Sequence, residues 1–339
     1  MKAVRIHQHG GPEVLRLEEI PPPRPAPGQV LVRIRAASVN HLDLFVRRGM
    51  PGIPVEFPRI LGSDAAGEVL EDGGGWKAGD RVLVNPGSSC GRCRFCVGGD
   101  PSMCPQYRIL GEHLDGTYTQ QIALPPEQLL PLPEGLSFEQ GAALPLVFMT
   151  AWRMLVSRGR LRPGEVVVVL GAGSGVGSAC VQIARMAGCR VIATASSPEK
   201  RDKALALGAD EVLDSRSPEL ARQVRRLTGG GGADVVVDYV GKDTWPSSLK
   251  ALRNGGRLLT CGATTGYDAQ TDLRHIFYRQ LEVIGSTMGS SKDLSEVLEG
   301  VRRGLLRPVV DRVLPLEEAA EAHRLLAERR VFGKIVLQT

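Results

Sequence analysis

The sequence between Glu165 and Ser286 alternates short apolar runs with amphipathic stretches of helical length. The runs read VVVVL, RVIATA, ADVVVDYV and GGRLLTCG, and two of the stretches between them span residues 177–187 and 198–207. Strands that are buried on both faces read as continuous apolar runs, and strands that alternate with helices form parallel sheets. This half of the chain therefore predicts a doubly wound α/β domain, in which helices cover both faces of a parallel sheet.

Residues 1–145 follow a different pattern. Short apolar or alternating runs, such as Val30–Ile34 and Arg81–Val84, are separated by the proline- and glycine-rich segments PPPRPAPG and EDGGGW. This pattern is typical of short strands with tight connections, so we predict that this half is mostly β. After Ser286 the chain returns to a helix in DLSEVLEGVRRG and a final strand in FGKIVLQT.

The composition argues against nucleic-acid and membrane partners. Lys plus Arg exceed Asp plus Glu by 42 to 37, without the clustered basic stripe that a phosphate backbone requires. The densest apolar stretch, Val166–Leu170, is far too short to span a membrane, and the first residues lack the apolar core of a signal peptide. We expect a soluble, cytoplasmic protein that acts on a small molecule.

A glycine-rich turn follows the first run of the predicted parallel sheet. Glycines between a strand and a helix let backbone N–H groups approach a pyrophosphate. The turn departs from the G-x-G-x-x-G pattern, because Ser178 stands at the sixth place, and a turn that serves only close helix packing is the alternative. The predicted cofactor-binding residues of the turn are Gly171, Gly173, Ser174, Gly175, Val176 and Gly177.

The end of the second run bears on the choice between NAD and NADP. Ala195 and Ser196 stand where an acidic residue would bind the ribose 2′-hydroxyl of NAD. The absence of that acid admits a 2′-phosphate, so we predict that NADP(H) is preferred over NAD(H). The predicted phosphate-binding residues are Ser196, Lys200, Arg201, Ser215 and Arg216. An ordinary helix start with a solvated basic face is the alternative.

Four cysteines, Cys90, Cys93, Cys96 and Cys104, have the spacing C-x2-C-x2-C-x7-C. Four thiolates form closed, structural zinc sites, whereas a catalytic zinc keeps one position open. We therefore predict one structural Zn²⁺. The other three cysteines, Cys180, Cys189 and Cys261, lie within apolar runs and are predicted to be buried thiols rather than disulfide partners.

Several segments together resemble the medium-chain dehydrogenase/reductase superfamily. They are VRIRAASVNHLD, LGSDAAGEV, the cysteine lobe, ALPLVFMTAW, the glycine turn and the closing GKIVL, and they cover nearly the whole chain. The resemblance implies a GroES-like catalytic domain of residues 1–147 and 287–339, with a zinc lobe at about residues 88–105. It also implies a Rossmann dinucleotide-binding domain of residues 148–286. Dimers and dimer-based tetramers are the assemblies that it implies, and the apolar edge strand LEVIGST is the predicted contact.

The resemblance also distinguishes two branches of the superfamily. Zinc-dependent alcohol dehydrogenases hold a catalytic metal at positions that here read Asn40 and Ser63, and the third region offers Leu146 and Val147. The segments VNHLDLFVRRG and LGSDAAG instead resemble quinone oxidoreductases similar to zeta-crystallin, although those generally lack the cysteine lobe.

We therefore expect an NADPH-dependent oxidoreductase that reduces a quinone or conjugated carbonyl without a catalytic metal. The predicted catalytic residues are Asn40, Asp43, Arg47, Ser63 and Thr150, and Gly262, Gly285 and Ser286 are predicted to line the nicotinamide end. A polar turn that caps a helix is an equal alternative for Asn40 and Asp43.

Two other functions stay open. One is a zinc-dependent alcohol dehydrogenase with altered ligands, with a weaker metal site drawn from His41, Asp43, Asp64 or His113. The other is a non-enzymatic NADPH-binding protein.

Overall fold

The computed structural model describes residues 1–339, which form two compact units. The first unit comprises Met1–Val147, Ser290–Leu298 and Pro308–Thr339. The second comprises Phe148–Gly289 and Glu299–Arg307.

The strands are short in the first unit and regular in the second. In chain order they are β1 (Lys2–Ile6), β2 (Arg16–Glu19), β3 (Val30–Ser38), β4 (Arg59–Ile60), β5 (Asp64–Val69), β6 (Arg81–Val84), β7 (Gly87–Ser88), β8 (Arg108–Ile109), β9 (Gln121–Leu124), β10 (Leu129–Pro131), β11 (Val166–Val169), β12 (Arg190–Ala195), β13 (Glu211–Asp214), β14 (Ala233–Val237), β15 (Leu252–Thr260), β16 (Glu282–Gly285), β17 (Val310–Pro315) and β18 (Lys334–Gln338).

The helices are α1 (His41–Arg48), α2 (Arg94–Val97), α3 (Phe138–Ala142), α4 (Pro145–Trp152), α5 (Gly175–Met186), α6 (Pro198–Ala206), α7 (Leu220–Leu227), α8 (Trp245–Ala251), α9 (Leu273–Phe277), α10 (Ser291–Arg302) and α11 (Ala319–Ala327). A π-helical segment spans Arg153–Arg158, and 3-10 turns span Pro12–Val14, Pro101–Met103, Pro126–Gln128 and Leu316–Glu318. The longest helices, α5 and α10, have 12 residues, and no helix has the length and apolar character of a membrane span.

A seven-stranded sheet organises the first unit. Its order is β10-β6-β5-β3-β18-β17, and β9 also pairs with β3. Along β3, Val30, Val32 and Ile34 are buried whereas Arg33 and Arg35 are exposed, which is the alternation of a strand with one face on the core. A three-stranded sheet, β2-β1-β4, and the hairpin-like pair β7-β8 complete this mostly β unit.

The second unit contains the predicted parallel sheet. Its order is β13-β12-β11-β14-β15-β16, and every neighbouring pair is parallel. Helices connect most of these strands, so the doubly wound Rossmann-type fold and the mostly β second fold are both confirmed. Strand β15 begins at Leu252, earlier than the run GGRLLTCG predicted, because a bulge shifts its register against β14. Cys180 and Cys189 are buried as predicted, whereas Cys261 is partly exposed.

Candidate functional site

The sulfur atoms of the four clustered cysteines converge in the loop between β7 and β8. All four Sγ atoms lie within 4.8 Å of one another, and the Cys93–Cys96, Cys90–Cys104 and Cys90–Cys96 separations are 3.5, 3.6 and 3.9 Å. Zinc–sulfur bonds of about 2.3 Å in a tetrahedron place the sulfurs about 3.8 Å apart. The thiols are free rather than paired in disulfides. Donor type and spacing therefore fit a thiolate-bound zinc ion.

Local hydrogen bonds stabilise the thiolate forms of Cys90 and Cys96, two of the four clustered cysteines. The backbone N–H groups of Arg92 and Cys93 lower the pKa of Cys90 to about 6. The Ser89 hydroxyl, 3.3 Å from the sulfur of Cys96, lowers the pKa of that thiol. Cys93 differs, because burial and the hydrogen bond with the Cys96 sulfur raise its pKa to about 11, so a metal ion would have to displace the proton of this thiol.

The neighbouring ends of three strands bring Asn40, Asp64 and Lys334 together. Strand β3 runs antiparallel to both β5 and β18, and its last residue, Ser38, pairs with Asp64 and with Val336. The end of β3 therefore lies beside the beginnings of β5 and β18. Asn40 follows β3, Asp64 opens β5 and Lys334 opens β18, so the sheet order itself places these polar side chains at one edge.

These side chains form a buried ion pair. The Lys334 ammonium donates hydrogen bonds to Asn40 Oδ1 and, at 3.3 Å, to Asp64 Oδ2. Asp64 Oδ2 also accepts from Asn40 Nδ2 at 2.9 Å and from Ser38 Oγ at 3.1 Å, and Asp64 Oδ1 accepts from the Leu146 N–H at 2.8 Å. Burial lowers the pKa of Lys334, while the charge of Asp64 opposes this shift. The carboxylate is therefore both neutralised and fully hydrogen-bonded.

Asp43 is a second buried carboxylate beside this ion pair. Its Oδ2 accepts from the Asn40 N–H at 2.7 Å and from the Tyr118 hydroxyl at 3.0 Å, and its Oδ1 accepts from the Gly62 N–H at 3.1 Å. Burial raises the pKa of Asp43 to about 6, although these donors and Lys334 oppose the shift. The hydrogen bond from the Asn40 N–H to Asp43 spans the first turn of α1. Asp43 therefore caps this helix, which is the alternative role given above for the two residues.

A chain of hydrogen bonds connects Asp43 to Arg47. The Tyr118 hydroxyl lies 3.2 Å from His323 Nε2, and His323 Nδ1 lies 3.3 Å from Arg47 Nη1. Burial lowers the pKa of His323 to about 3, so its imidazole is neutral. A guanidinium can only donate, so Nδ1 accepts and the ring proton on Nε2 is donated to Tyr118. Tyr118 then donates to Asp43, and every proton in the chain points toward that carboxylate.

Two of the predicted catalytic residues, Ser63 and Arg47, are buried and make hydrogen bonds within the protein. Ser63 is fully buried, and its hydroxyl donates to the Leu110 carbonyl at 2.8 Å. The Arg47 guanidinium is buried against His323. Donation from the Ser63 hydroxyl to a substrate oxygen would first require its contact to break, whereas Arg47 Nε has no hydrogen-bond partner within the protein. Ser63 thus anchors the Leu110 carbonyl, and Arg47 forms the far end of the Asp43 chain.

The alternative metal ligands do not form a cluster. The four cysteines are the only group of three or more His, Cys, Asp or Glu side chains whose ligand atoms converge. His113 Nδ1 accepts the Ile109 N–H at 3.2 Å, and burial lowers the pKa of His41 to about 4. His41, Asp43, Asp64 and His113 therefore do not share a metal position in this structure.

In the second unit, the glycine turn joins β11 to the N-terminus of α5. Ser174 caps this helix, because its Oγ accepts the Gly177 N–H at 3.0 Å. A Cβ on Gly177 would lie 2.3 Å from the Gly171 carbonyl oxygen and 2.4 Å from the Tyr239 hydroxyl. Close packing therefore requires Gly177. The turn also presents a helix N-terminus at the carboxyl edge of a parallel sheet, where dinucleotides bind.

The predicted phosphate-binding residues lie at one edge of the parallel sheet. Ser196, Lys200 and Arg201 follow β12, and Ser215 and Arg216 follow β13. Strands β12 and β13 are neighbouring and parallel, so their carboxyl ends lie side by side.

An acidic residue that was not among the predicted site residues, Asp214, also lies in this group. Asp214 ends β13 opposite Ala195, and its carboxylate lies 3.5 Å from Arg201 and 3.3 Å from Arg216. The hydrogen bonds from Arg216 lower the pKa of Asp214, which holds it ionised. The pattern VLDSR contains this acid, but only the pairing of β12 with β13 places it next to Arg201.

Two buried hydroxyl oxygens predicted to line the nicotinamide end have no hydrogen-bond partner within the protein. They are Thr150 Oγ1 and Ser286 Oγ. Gly285 ends β16, and a Cβ at this position would meet nothing within 4 Å. Two unsatisfied hydroxyls fit a polar ligand that would complete their hydrogen bonds.

The two units and their sites define a two-domain oxidoreductase of the dehydrogenase class, in which a dinucleotide-binding fold accompanies a mostly β unit that carries a metal lobe. Two family models match the chain: "Alcohol dehydrogenase GroES-like domain" over residues 26–134 and "Zinc-binding dehydrogenase" over residues 175–303.

Known proteins match the chain over its whole length. A crystal structure of an NAD-dependent alcohol dehydrogenase, 50% identical in sequence, superposes with a TM-score of 0.96 and covers 100% of both chains. An alcohol dehydrogenase of Schizosaccharomyces pombe is 31% identical over 99% of this chain and 97% of its own. A quinone oxidoreductase of Rattus norvegicus is 32% identical over the same shares. The chain belongs to the medium-chain dehydrogenase/reductase superfamily and is an oxidoreductase of that type.

Proposed function

We propose that this oxidoreductase reduces quinones or conjugated carbonyl compounds with NAD(P)H, prefers NADPH, and does so without a catalytic metal. The observation that carries the proposal is the position of the Lys334 ammonium, which binds Asn40 Oδ1 and Asp64 Oδ2. These are oxygens that a metal ion would need. A fixed cation already satisfies them, and like charges this close repel strongly in a buried site.

The side chains at the ligand positions support the same conclusion. By resemblance, Asn40 and Ser63 replace two ligands of the catalytic zinc in alcohol dehydrogenases. An amide and a hydroxyl are poor zinc ligands compared with thiolate and imidazole. The Ser63 hydroxyl is also committed to the Leu110 carbonyl.

The same network prepares Asn40 to act as a hydrogen-bond donor. An ammonium can only donate, so Lys334 holds the amide oxygen toward itself and fixes the amide NH₂ on the other side. One proton of that NH₂ is donated to Asp64, and the other stays free to bind an oxygen that becomes negative. A quinone or enone delocalises this charge over its own conjugated system, so a single neutral donor is sufficient.

A nicotinamide cofactor, when bound, supplies the hydride. The residues that would hold it belong to the second unit. The N-terminus of α5 after Gly171 and Ser174 would bind the pyrophosphate, and the unpaired hydroxyls of Thr150 and Ser286 would bind the nicotinamide end. We assign the second unit as the dinucleotide-binding domain and the first as the catalytic domain, whose cysteines hold one structural zinc.

The preference for NADPH is supported by charge. Lys200, Arg201 and Arg216 bring three positive charges to the ends of β12 and β13, and Asp214 brings one negative charge. Loss of one phosphate contact in Lys200→Ala should weaken NADPH binding by roughly 1.5–3 kcal/mol, which is about tenfold to a hundredfold. Asp214→Asn is the opposite variant and should tighten NADPH binding. Equal affinity of the wild type for NADPH and NADH would contradict this part of the proposal.

Metal content and acceptor range test the reaction itself. We expect one zinc per chain, and NADPH oxidation by a quinone that persists in a chelator too weak to empty the cysteine site. Asn40→Ala should lower turnover by up to about a hundredfold to a thousandfold, because it removes a donor to the developing oxyanion. Asn254→Ala, at an exposed position, is the control.

One observation favours a second candidate function. The solved structure that is 50% identical to this chain is an NAD-dependent alcohol dehydrogenase. If this chain binds two zinc ions, and chelation abolishes alcohol oxidation that added zinc then restores, the zinc-dependent reaction is correct and the metal-free one is wrong.

A further inference from the structure

Tyr239 is a buried tyrosine at the carboxyl edge of the parallel sheet, beside the glycine turn. It follows β14, which pairs in parallel with β11, so the ends of the two strands lie side by side. The residue is 8% exposed. Its hydroxyl donates to the Leu170 carbonyl and lies 3.1 Å from the Gly171 carbonyl oxygen and 3.0 Å from Ser174 Oγ. One side chain therefore contacts both the beginning of the glycine turn and the residue that caps α5.

The direction of each of these hydrogen bonds follows from the chemistry of the partners. The Leu170 and Gly171 carbonyls can only accept, so they take the single proton of the Tyr239 hydroxyl. The contact between Tyr239 and Ser174 must therefore use the Ser174 proton. Ser174 Oγ also accepts the Gly177 N–H at 3.0 Å. The only proton of the Ser174 hydroxyl is thus used within the protein and is not available to a phosphate oxygen.

The backbone of the turn keeps N–H groups for a ligand. Some of its N–H groups are donated within the protein, namely those of Gly171, Ala172, Ser174 and Gly177. The others have no acceptor within the protein and belong to Gly173, Gly175 and Val176, which are all partly exposed. Free N–H groups at a helix N-terminus bind the pyrophosphate of a dinucleotide. The donors of the turn for this ligand are therefore main-chain groups, whose positions depend on the backbone conformation.

We propose that Tyr239 is a positioning residue of the dinucleotide site, which fixes the glycine turn so that its free N–H groups are in place to bind pyrophosphate. This inference rests on the part of the proposed function that assigns the dinucleotide to the second unit. Tyr239 acts through the Leu170 carbonyl at one end of the turn and through Ser174 at the other.

Packing shows how closely the turn is fitted to this hydroxyl. A Cβ on Gly177 would lie 2.4 Å from the Tyr239 hydroxyl oxygen. Without the hydroxyl, the Leu170 carbonyl loses this donor, and Ser174 loses the acceptor of its proton. A buried carbonyl without a donor is unfavourable, so the turn would populate conformations in which this group is satisfied differently. Affinity for the dinucleotide then falls with the fraction of molecules whose turn keeps the binding geometry.

The test compares the wild type with Tyr239→Phe, which keeps the ring and removes only the hydroxyl. Tyr267→Phe is the matched control, at a tyrosine that is 84% exposed. Fluorescence titration gives the dissociation constants of NADPH and NADH at a temperature where every variant is folded. Tyr239→Phe should weaken both dinucleotides by about the same factor, roughly tenfold, because both carry the pyrophosphate. Tyr267→Phe should bind both as the wild type does.

Adenosine 2′-monophosphate separates positioning of the turn from a general loss of structure. This ligand carries the adenosine and the 2′-phosphate of NADPH but no pyrophosphate, so Tyr239→Phe should bind it as the wild type does. Ser174→Ala removes the other end of the same contact and tests the inference even if Tyr239→Phe does not fold. It should also weaken both dinucleotides, and the two effects should not add in the double variant.

The outcomes distinguish this inference from the proposed function. Unchanged or tighter dinucleotide binding by Tyr239→Phe would overturn the inference, because a freed Ser174 hydroxyl would then serve the phosphate as well as the fixed turn does. Equal losses for NADPH and adenosine 2′-monophosphate would also overturn it, since they would show damage beyond the turn. If Tyr239→Phe weakens both dinucleotides as expected but no quinone or enone is reduced, the inference stands and the proposed reaction fails. If enones are reduced and Tyr239→Phe matches the wild type in both dissociation constants, the reaction stands and Tyr239 is not a positioning residue.

Discussion

At the scale of single residues, the protein buries two oppositely charged side chains against each other. Lys334 and Asp64 are paired in the interior, and both carboxylate oxygens of Asp64 accept hydrogen bonds. Such a pair adds little stability relative to apolar residues, but removal of one partner leaves the other as an uncompensated buried charge. The contribution of each residue to stability therefore depends on the presence of the other.

Lys334→Met should lower the free energy of unfolding by roughly 3–5 kcal/mol, because the buried Asp64 would lose its counter-ion. Urea denaturation measures this. The double variant Lys334→Met with Asp64→Asn should recover a large part of the loss. Lys292→Met, at an exposed lysine, should change stability by less than about 0.5 kcal/mol. Equal effects of the two lysine variants would show that the buried pair is not coupled.

Asp43 should make stability depend on pH. Burial raises its pKa from 3.8 to about 6, so the folded state holds this proton more tightly than the unfolded state does. The stabilisation is complete below the unfolded pKa and is lost as pH rises through the folded pKa. Subtracting the unfolding free energy of Asp43→Asn from that of the wild type should therefore give a difference that falls between about pH 4 and pH 6 and is flat above. A difference that rises over this range would contradict the assignment.

Sequence patterns revealed only part of these residue contacts. Asn40 and Asp43 were predictable, because they are three positions apart at the start of a helix. Lys334 and His323 were not, because their partners Asn40 and Arg47 lie 294 and 276 residues away along the chain. Arg47 was predicted as a catalytic donor from its charge, whereas its burial against His323 depends on how α1 and α11 pack.

At the scale of elements, the zinc lobe and the parallel sheet differ in what holds them together. The helices and strands of the sheet were predictable because each buries an apolar face of recognisable period. The lobe has only the short helix α2 and the 3-10 turn Pro101–Met103, and its exposed side chains include Val97. A segment with so little apolar burial depends on the metal to fix its conformation.

Cys93→Ser should therefore release zinc and lower the melting temperature, while protein that stays folded should bind NADPH as before. Inductively coupled plasma analysis and calorimetry measure the two effects. Val97→Ser changes an exposed residue of the same lobe that has no metal-binding sulfur, and should keep its zinc. A wild-type protein that is free of zinc and equally stable would contradict a structural zinc ion in this lobe.

At the scale of the whole molecule, the parallel sheet ends in an edge strand with an exposed apolar side chain, with which a second copy of the chain can pair. Strand β16 lies at the end of the sheet order, and Val283 on it is 41% exposed. Leu273, Phe277 and Tyr278, which precede this strand, are also exposed. An apolar edge strand is a template for pairing across a two-fold axis, so we expect a homodimer or a dimer-based tetramer.

Val283→Lys should therefore dissociate the assembly, because two ammonium groups would face each other across the axis. Analytical ultracentrifugation at micromolar concentration measures this. Val313 is exposed to 42% and lies on β17, an edge strand of the other large sheet, so Val313→Lys is the matched control and should leave the assembly intact. A monomeric wild type, or dissociation by both variants, would place the contact elsewhere or remove it.

The distance along the chain between Asn40 and Lys334 also sets an order of events during synthesis. Every strand of the parallel sheet, from Val166 to Gly285, leaves the ribosome before Lys334 does. A nascent chain can therefore complete the parallel sheet while Asp64 still lacks its counter-ion. Translation that halts between residues 308 and 333 would release a product that contains all residues of the second unit but lacks the Lys334 ammonium that orients Asn40.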